Sequence, residues 1–235
     1  MRVLLTVLFL FPMPVFAAGM GYDEARHLLA RTGFAPTESE IQKYATLTRV
    51  AAVDRLLAEV NTEARTPLPE SALEFVPRER LRKLKDASEE ERKAFQREQV
   101  EKSLELRSWW YREMLETSSP FTEKMTLFWH NHFVSSQQKV KSPMLMARQN
   151  QLLRRHALGN FGTLLHAVAK DPAMVVYLDN VSNKKSSPNE NFAREVMELF
   201  TLGEGHYSEQ DIKEAARAFT GWSLDRKTGE YRFYR

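Results

Sequence analysis

The sequence predicts an all-α fold, a multi-helix globular bundle with a short β-hairpin at its C-terminal end. Three observations predict it. Apolar residues recur at helical spacing almost everywhere from Tyr22 to Trp222. Capping boxes, a Ser or Thr followed three residues later by an acid, stand at Thr37/Glu40, Ser88/Glu91, Ser187/Glu190 and Ser208/Asp211. Beyond Trp222 the period changes, and Tyr231 and Phe233 alternate with charged residues after a Thr-Gly turn, the pattern of a hairpin.

Residues 1–17 read as a secretory signal peptide, with Arg2, an apolar run to Phe11 and a small-residue cleavage site ending at Ala17. That run is too short to cross a bilayer, and Pro12 and Pro14 interrupt it, so no membrane span is expected after cleavage. The mature chain, 18–235, is expected to be exported, periplasmic or extracellular, and to form one helical domain. The sequence has no cysteine, which excludes a disulfide framework. Its 34 Lys and Arg stand against 31 Asp and Glu, interspersed, which leaves no nucleic-acid footprint.

Helices are expected over Asp23–Arg31, from Thr37, and over Thr48–Val60, the last with Val50, Val53, Leu56, Leu57 and Val60 inward. Together 22–65 form an N-terminal helical subdomain. A proline-bearing linker, 66–77, leads to a charged helical arm, 78–118, divided near Ser88. The front of the arm reads as a solvated face. From Val100 it turns apolar and enters the core through Leu104, Trp109, Trp110, Met114 and Leu115.

The core region, 119–222, opens with a helix at Ser119-Pro120 carrying His130-Asn131-His132. Nucleases that share those three letters spread them over a longer strand-and-helix unit, so the tripeptide is no nuclease motif. Two residues apart on a helix, the histidines point about 160° from each other. His132 falls with Phe121, Met125 and Phe128 on the apolar side, whereas His130 shares the polar side with Glu123 and Thr126. His132 is therefore the expected inward histidine. Lys139–Lys141 reads as a polar connection, followed by a helix over Met144–Leu158 with Arg148, Arg154 and Arg155 outward. Further helices are expected over Phe161–Ala169 and after the Asp171-Pro172 cap.

Most chemistry-grade residues lie between Ser187 and Trp222. A helix from a Ser187 cap to a Gly203 stop places Phe192, Ala193, Val196, Leu199 and Phe200 on one apolar arc, with Glu195 inside it and Asn191 and Glu198 at its border. A carboxylate buried there must be paired, metal-bound or protonated. A second helix, capped by Ser208/Asp211 and ended by Gly221, presents Ile212, Ala215, Ala216 and Phe219 inward, with Arg217 flanking as a partner for such a carboxylate. Asp179 is close enough in sequence to join the group across a short loop. The candidate catalytic residues are thus Glu195, Glu198 and His132, and the candidate binding residues Asn191, Arg194, Arg217 and Asp179. Carboxylates with a histidine suit a divalent metal, though no recognised metal spacing, nucleophile elbow or phosphate loop is present.

Several segments together resemble one bacterial family, the domain-of-unknown-function family 1800: ARHLLARTGF, the WW and FWHNHF segments, DPAMVVYLDN, and above all PNENFAREVMELFTLGEGHYSEQDIKEAARAFTGW. The resemblance runs in order from about Asp23 to Trp222. It implies a largely helical exported protein, often encoded beside a second exported family that would supply a partner. Members generally continue beyond the tryptophan, so the chain is similar to the N-terminal half of one. No reaction carries over from the family. Two functions stay open: an envelope hydrolase using the buried carboxylate or a metal, and a non-catalytic export, assembly or surface-binding module in which these charges form ion pairs between helices.

Overall fold

The computed structural model describes residues 18–234; the signal-peptide assignment to 1–17 lies outside the described residues. Among those, twelve α-helices and one two-stranded antiparallel sheet confirm the all-α expectation with its terminal hairpin. No described helix is long and apolar enough to cross a membrane. The described chain divides into two units, one holding 18–31 and Ala35–Ala58, the other 32–34 and 59–234.

The smaller unit is built from α1 (Tyr22–Thr32), α2 (Glu38–Ala45) and α3 (Arg49–Ala58). Its α2 starts where the sequence says, because the Thr37 hydroxyl accepts the Glu40 N–H while the Glu40 carboxylate accepts the Thr37 N–H at 2.7 Å. Ala25, Leu29, Ile41, Tyr44, Ala52 and Leu56 make its core. The expected inward face of α3 is rotated: Val50, Val53 and Leu57 are exposed. Arg49 forks onto Glu24 at 2.8 and 2.5 Å, and the small Ala52 on the same helix is fully buried.

In the larger unit a short helix, α4 (Arg78–Lys83), precedes α5 (Glu89–Glu116), which the Ser88/Glu91 capping box opens as expected. At 28 residues α5 is about 42 Å long. Its first half is mostly exposed; its second buries Leu106, Trp109 and Glu113, one stripe at helical spacing. Leu104 and Leu115, expected inward, lie off that stripe and are exposed. Next come α6 (Pro120–His132), α7 (Gln137–Val140), α8 (Pro143–Arg155), α9 (Phe161–Ala169) and α10 (Pro172–Tyr177). Pro120, Pro143 and Pro172 each open their helix, where a missing N–H costs nothing. The main core gathers Phe133, Leu153, Leu164, Val168, Met174, Leu178, Phe192 and Phe200.

Two readings of this region are corrected. The polar side of α6 is the one that enters the core: Thr122, Glu123 and Thr126 are buried, while Phe128 is exposed. And Arg154, expected outward, is only 1% exposed. The two corrections share one cause. The Arg154 guanidinium forks onto the Glu123 carboxylate at 2.5 and 2.9 Å, so each charge is buried because the other is. Trp110 donates its indole N–H to the same carboxylate at 2.9 Å, and Arg154 lies over the Trp109 ring.

The chain ends in α11 (Asn191–Glu198), α12 (Glu209–Ala218) and the hairpin of β1 (Trp222–Leu224) with β2 (Tyr231–Phe233), paired Trp222 to Phe233 and Leu224 to Tyr231. Gly221, at φ 84°, starts the hairpin. A Cβ there would come within 2.2 Å of the Tyr234 carbonyl oxygen, so only glycine fits.

Removing one member of the buried ion pair strands the other. Glu123→Gln and Arg154→Met are each expected to lower stability by about 3–5 kcal/mol, with the double variant clearly less destabilised than the sum of the two. Urea unfolding followed by circular dichroism measures all three.

Candidate functional site

The candidate residues of the sequence occupy one region, but each is taken up locally. Ser187 does not cap α11; its backbone pairs with Lys184 in a tight turn. The start moves to Asn191 because asparagines outcompete the serine. The Asn189 side chain accepts the Asn191 N–H at 3.0 Å, and its own N–H is held by Asn183 at 3.0 Å. Asn191 donates to the Leu178 carbonyl at 3.1 Å, tying α11 to the end of α10. Asn180 donates to the carbonyls of Phe219 and Trp222, and Asn183 to that of Ala216. These asparagines bind carbonyls from the last turn of α12 to the first residue of the strand that follows it.

The end of α11 moves as well. It stops at Glu198, and beyond it the N–H groups of Leu202 and Gly203 both close on the Met197 carbonyl, with Gly203 at φ 78°. This wide turn breaks the 100° phase, so Leu199 and Leu202 are exposed and not buried. Glu195, expected inside the apolar arc, is half-buried. Burial, and then the neighbouring Glu198 charge, raise its carboxyl above the ordinary range. Glu198 accepts the Tyr207 hydroxyl at 3.0 Å. Arg194 bridges α11 to α12 by forking onto Glu209 at 2.9 and 2.8 Å. Arg217 is paired with Glu214 on its own helix, and Asp179 with Lys139 at 2.6 Å. His132 contacts the Phe200 carbonyl oxygen through Nε2 at 3.1 Å, within a shell of aromatic rings that includes Phe128, Phe133 and Phe161. Among the described residues, no three His, Cys, Asp or Glu side chains are grouped to hold a metal ion.

A second polar centre surrounds the buried ion pair. Glu113 accepts the backbone N–H groups of Arg65 and Thr66 and the Thr66 hydroxyl; burial alone would raise its carboxyl, but these bonds outweigh it and hold it below the usual range. The His130 ring packs on Trp110 and meets the Asn150 amide at 3.2 Å; burial, then the Arg154 charge, push it down to about 4. Asp171 caps α10 by accepting the Met174 N–H and also accepts from Gln149, yet its complete burial pushes it up to about 7.

The larger unit also holds a cavity of about 1240 Å³. Phe75, Phe95, Leu145, Val176, Trp222 and Leu224 give it an apolar lining. Around these stand Arg78, Arg107, Lys141, Lys184, Lys185 and Arg226, all exposed, against the single acid Asp225. Asp225 is already engaged: it accepts the N–H groups of Lys227 and Thr228 and pairs with Arg232 at 2.7 Å. None of the six cations forms an ion pair with a described carboxylate. Sequence reading missed this site because its cations come from five separate stretches of the chain, two of them helices and three connections. The one signal present was the adjacent pair Lys184-Lys185 in a loop otherwise free of charge from Val181 to Asn189.

A largely helical architecture, with an apolar cavity in its larger unit and cations around it, is the class that the described residues define. Within that class the chain belongs to the family described as Protein of unknown function (DUF1800), which matches residues 27–235. Neither a curated protein nor a solved structure matches the chain.

The pH dependence of folding follows from His130 and Asp171. His130 titrates near 4 when folded against 6.5 when free, so stability is lost as pH falls from about 6.5 to about 4. Asp171 titrates near 7 against 3.8, so its contribution, full below about 4, is lost as pH rises to about 7. The two slopes oppose each other. His130→Gln is expected to leave a stability that falls between pH 4 and 7, and Asp171→Asn, which preserves the cap, one that rises across the same window, each by up to about 1.4 kcal/mol per pH unit. Thermal unfolding across that range reads both. Because its raised carboxyl faces Glu198, Glu195→Gln should be neutral to mildly stabilising above the carboxylate range; a loss of more than about 1 kcal/mol would show a paired, structural carboxylate.

Proposed function

We propose that this chain is an exported, non-catalytic binding module that holds an amphiphilic anion in the cavity of its larger unit. One observation carries the reading: six cations without carboxylate partners surround an apolar lining. Like charges gathered at one opening repel one another, and an anion entering it relieves that repulsion while the apolar lining takes up the rest of the ligand. The local pairing of Arg194, Arg217, Glu198 and Asp179 supports the same reading, since each of these side chains is already engaged by a neighbour.

The fluorescent anion 1-anilinonaphthalene-8-sulfonate is the first probe. It is expected to bind saturably, one per chain, to protein with intact near-ultraviolet circular dichroism, and at least tenfold more weakly to Lys184→Glu/Lys185→Glu. Unsaturable binding that ignores the lysines would indicate general exposed apolar surface and remove the reading.

An envelope hydrolase is the second reading, favoured by the raised carboxyl of Glu195 beside Glu198. Elemental analysis of protein purified from the periplasm decides between them: stoichiometric metal in the parent and none in folded Glu195→Gln would move the site to α11.

A further inference from the structure

We infer that the occupant of the cavity is an acyl chain carrying an anionic head, with the chain along the apolar lining and the head among the rim cations. This rests on the binding-module reading and names its ligand class. The first ground is the separation of polarity. The six cations of the lining are exposed, whereas Val140 and Leu145 are buried and Phe75, Phe95, Val176, Trp222 and Leu224 partly so, alongside the exposed Leu81, Val100, Val181 and Phe233. A ligand matching that profile is charged at one end and apolar along its length.

The second ground is what the lining leaves unpaired. A peptide laid in the cavity would bring N–H and C=O groups that need partners. The two buried polar side chains of the lining, Asn183 and Ser103, and its strand backbone are already committed. Asn183 is bonded to Asn180, Ala216 and Asn189, Ser103 donates to the Gln99 carbonyl, and the strand from Trp222 to Leu224 is paired to β2. An alkyl chain asks for no hydrogen bonds. The third ground is size. At about 1240 Å³ the cavity exceeds the roughly 300–1,000 Å³ of ordinary small-molecule sites, so a compact metabolite would leave much of the apolar lining uncovered.

Isothermal titration with octyl, decyl and dodecyl phosphate, each below its micelle concentration, tests this on the whole protein. Affinity is expected to rise about fourfold per methylene, the factor set by burying each one. Inorganic phosphate should show no saturable binding, and neutral dodecyl maltoside should bind at least tenfold more weakly than dodecyl phosphate. Lys184→Glu/Lys185→Glu and, separately, Arg78→Glu/Arg226→Glu should each weaken dodecyl phosphate at least tenfold. All four side chains are exposed, so neither variant should disturb folding. A flat chain-length series overturns the inference, as does equal binding of the neutral detergent or tighter binding of oligoglutamate than of dodecyl phosphate. If the sulfonate dye still binds saturably while the series is flat, the acyl assignment fails and the module reading stands; if neither binds, both fail.

Discussion

The buried ion pair between Glu123 and Arg154 is the constraint on which the larger unit depends. A carboxylate and a guanidinium at 1–2% side-chain exposure are tolerable only while they face each other. That condition fixes how α6 is rotated against α8. It turns the polar side of α6 inward and carries Thr122, Thr126 and His130 with it. The same pair brings Trp110 and Trp109 of α5 onto the junction, so three helices meet at one polar centre. Removing either partner alone would leave the other charge, and the Trp110 N–H where Glu123 is the one removed, buried without a partner.

From that centre the geometry propagates to the cavity. With α8 held, Leu145 on its first turn is presented to the cavity, and α10, capped by Asp171 against Gln149 of α8, adds Val176. The asparagines of 180–191 then fasten the loop carrying Lys184 and Lys185 to the end of α12, where the hairpin begins. The motif NKKSSPNEN thus does two jobs: its asparagines hold backbone carbonyls, and its lysines are left free at the cavity rim. Arg78 joins this wall through its N–H on the Arg226 carbonyl at 3.2 Å.

How much was legible depends on the range of the interaction. Capping boxes at Thr37, Ser88 and Ser208 and the prolines that open helices at Pro120 and Pro172 were read correctly, because each is settled within about four residues; α12 stops at Ala218, short of the expected Gly221. The Ser187 box failed against asparagines only a few residues away, since a cap is a competition between local acceptors. The inward faces of α3 and α6 were misjudged because a helical wheel ranks side chains by polarity alone. A polar residue with a buried partner 31 positions along the chain outranks an exposed phenylalanine. A stripe of Thr122, Thr126 and His130 at four-residue spacing beside Glu123 was the available sign that α6 is wetted from inside.

The sequence by itself determined the all-α class, nearly every helix start, the hairpin and the family, since periodicity, caps and motif order are local or linear properties. Only the tertiary structure decided which charges are buried, which are paired and which are left over. Those outcomes depend on distances between residues far apart in the chain, and the chain's nearly balanced charge conceals them. The six rim cations are the example: scattered along the sequence they are unremarkable, and brought to one opening with a single committed acid they make a site.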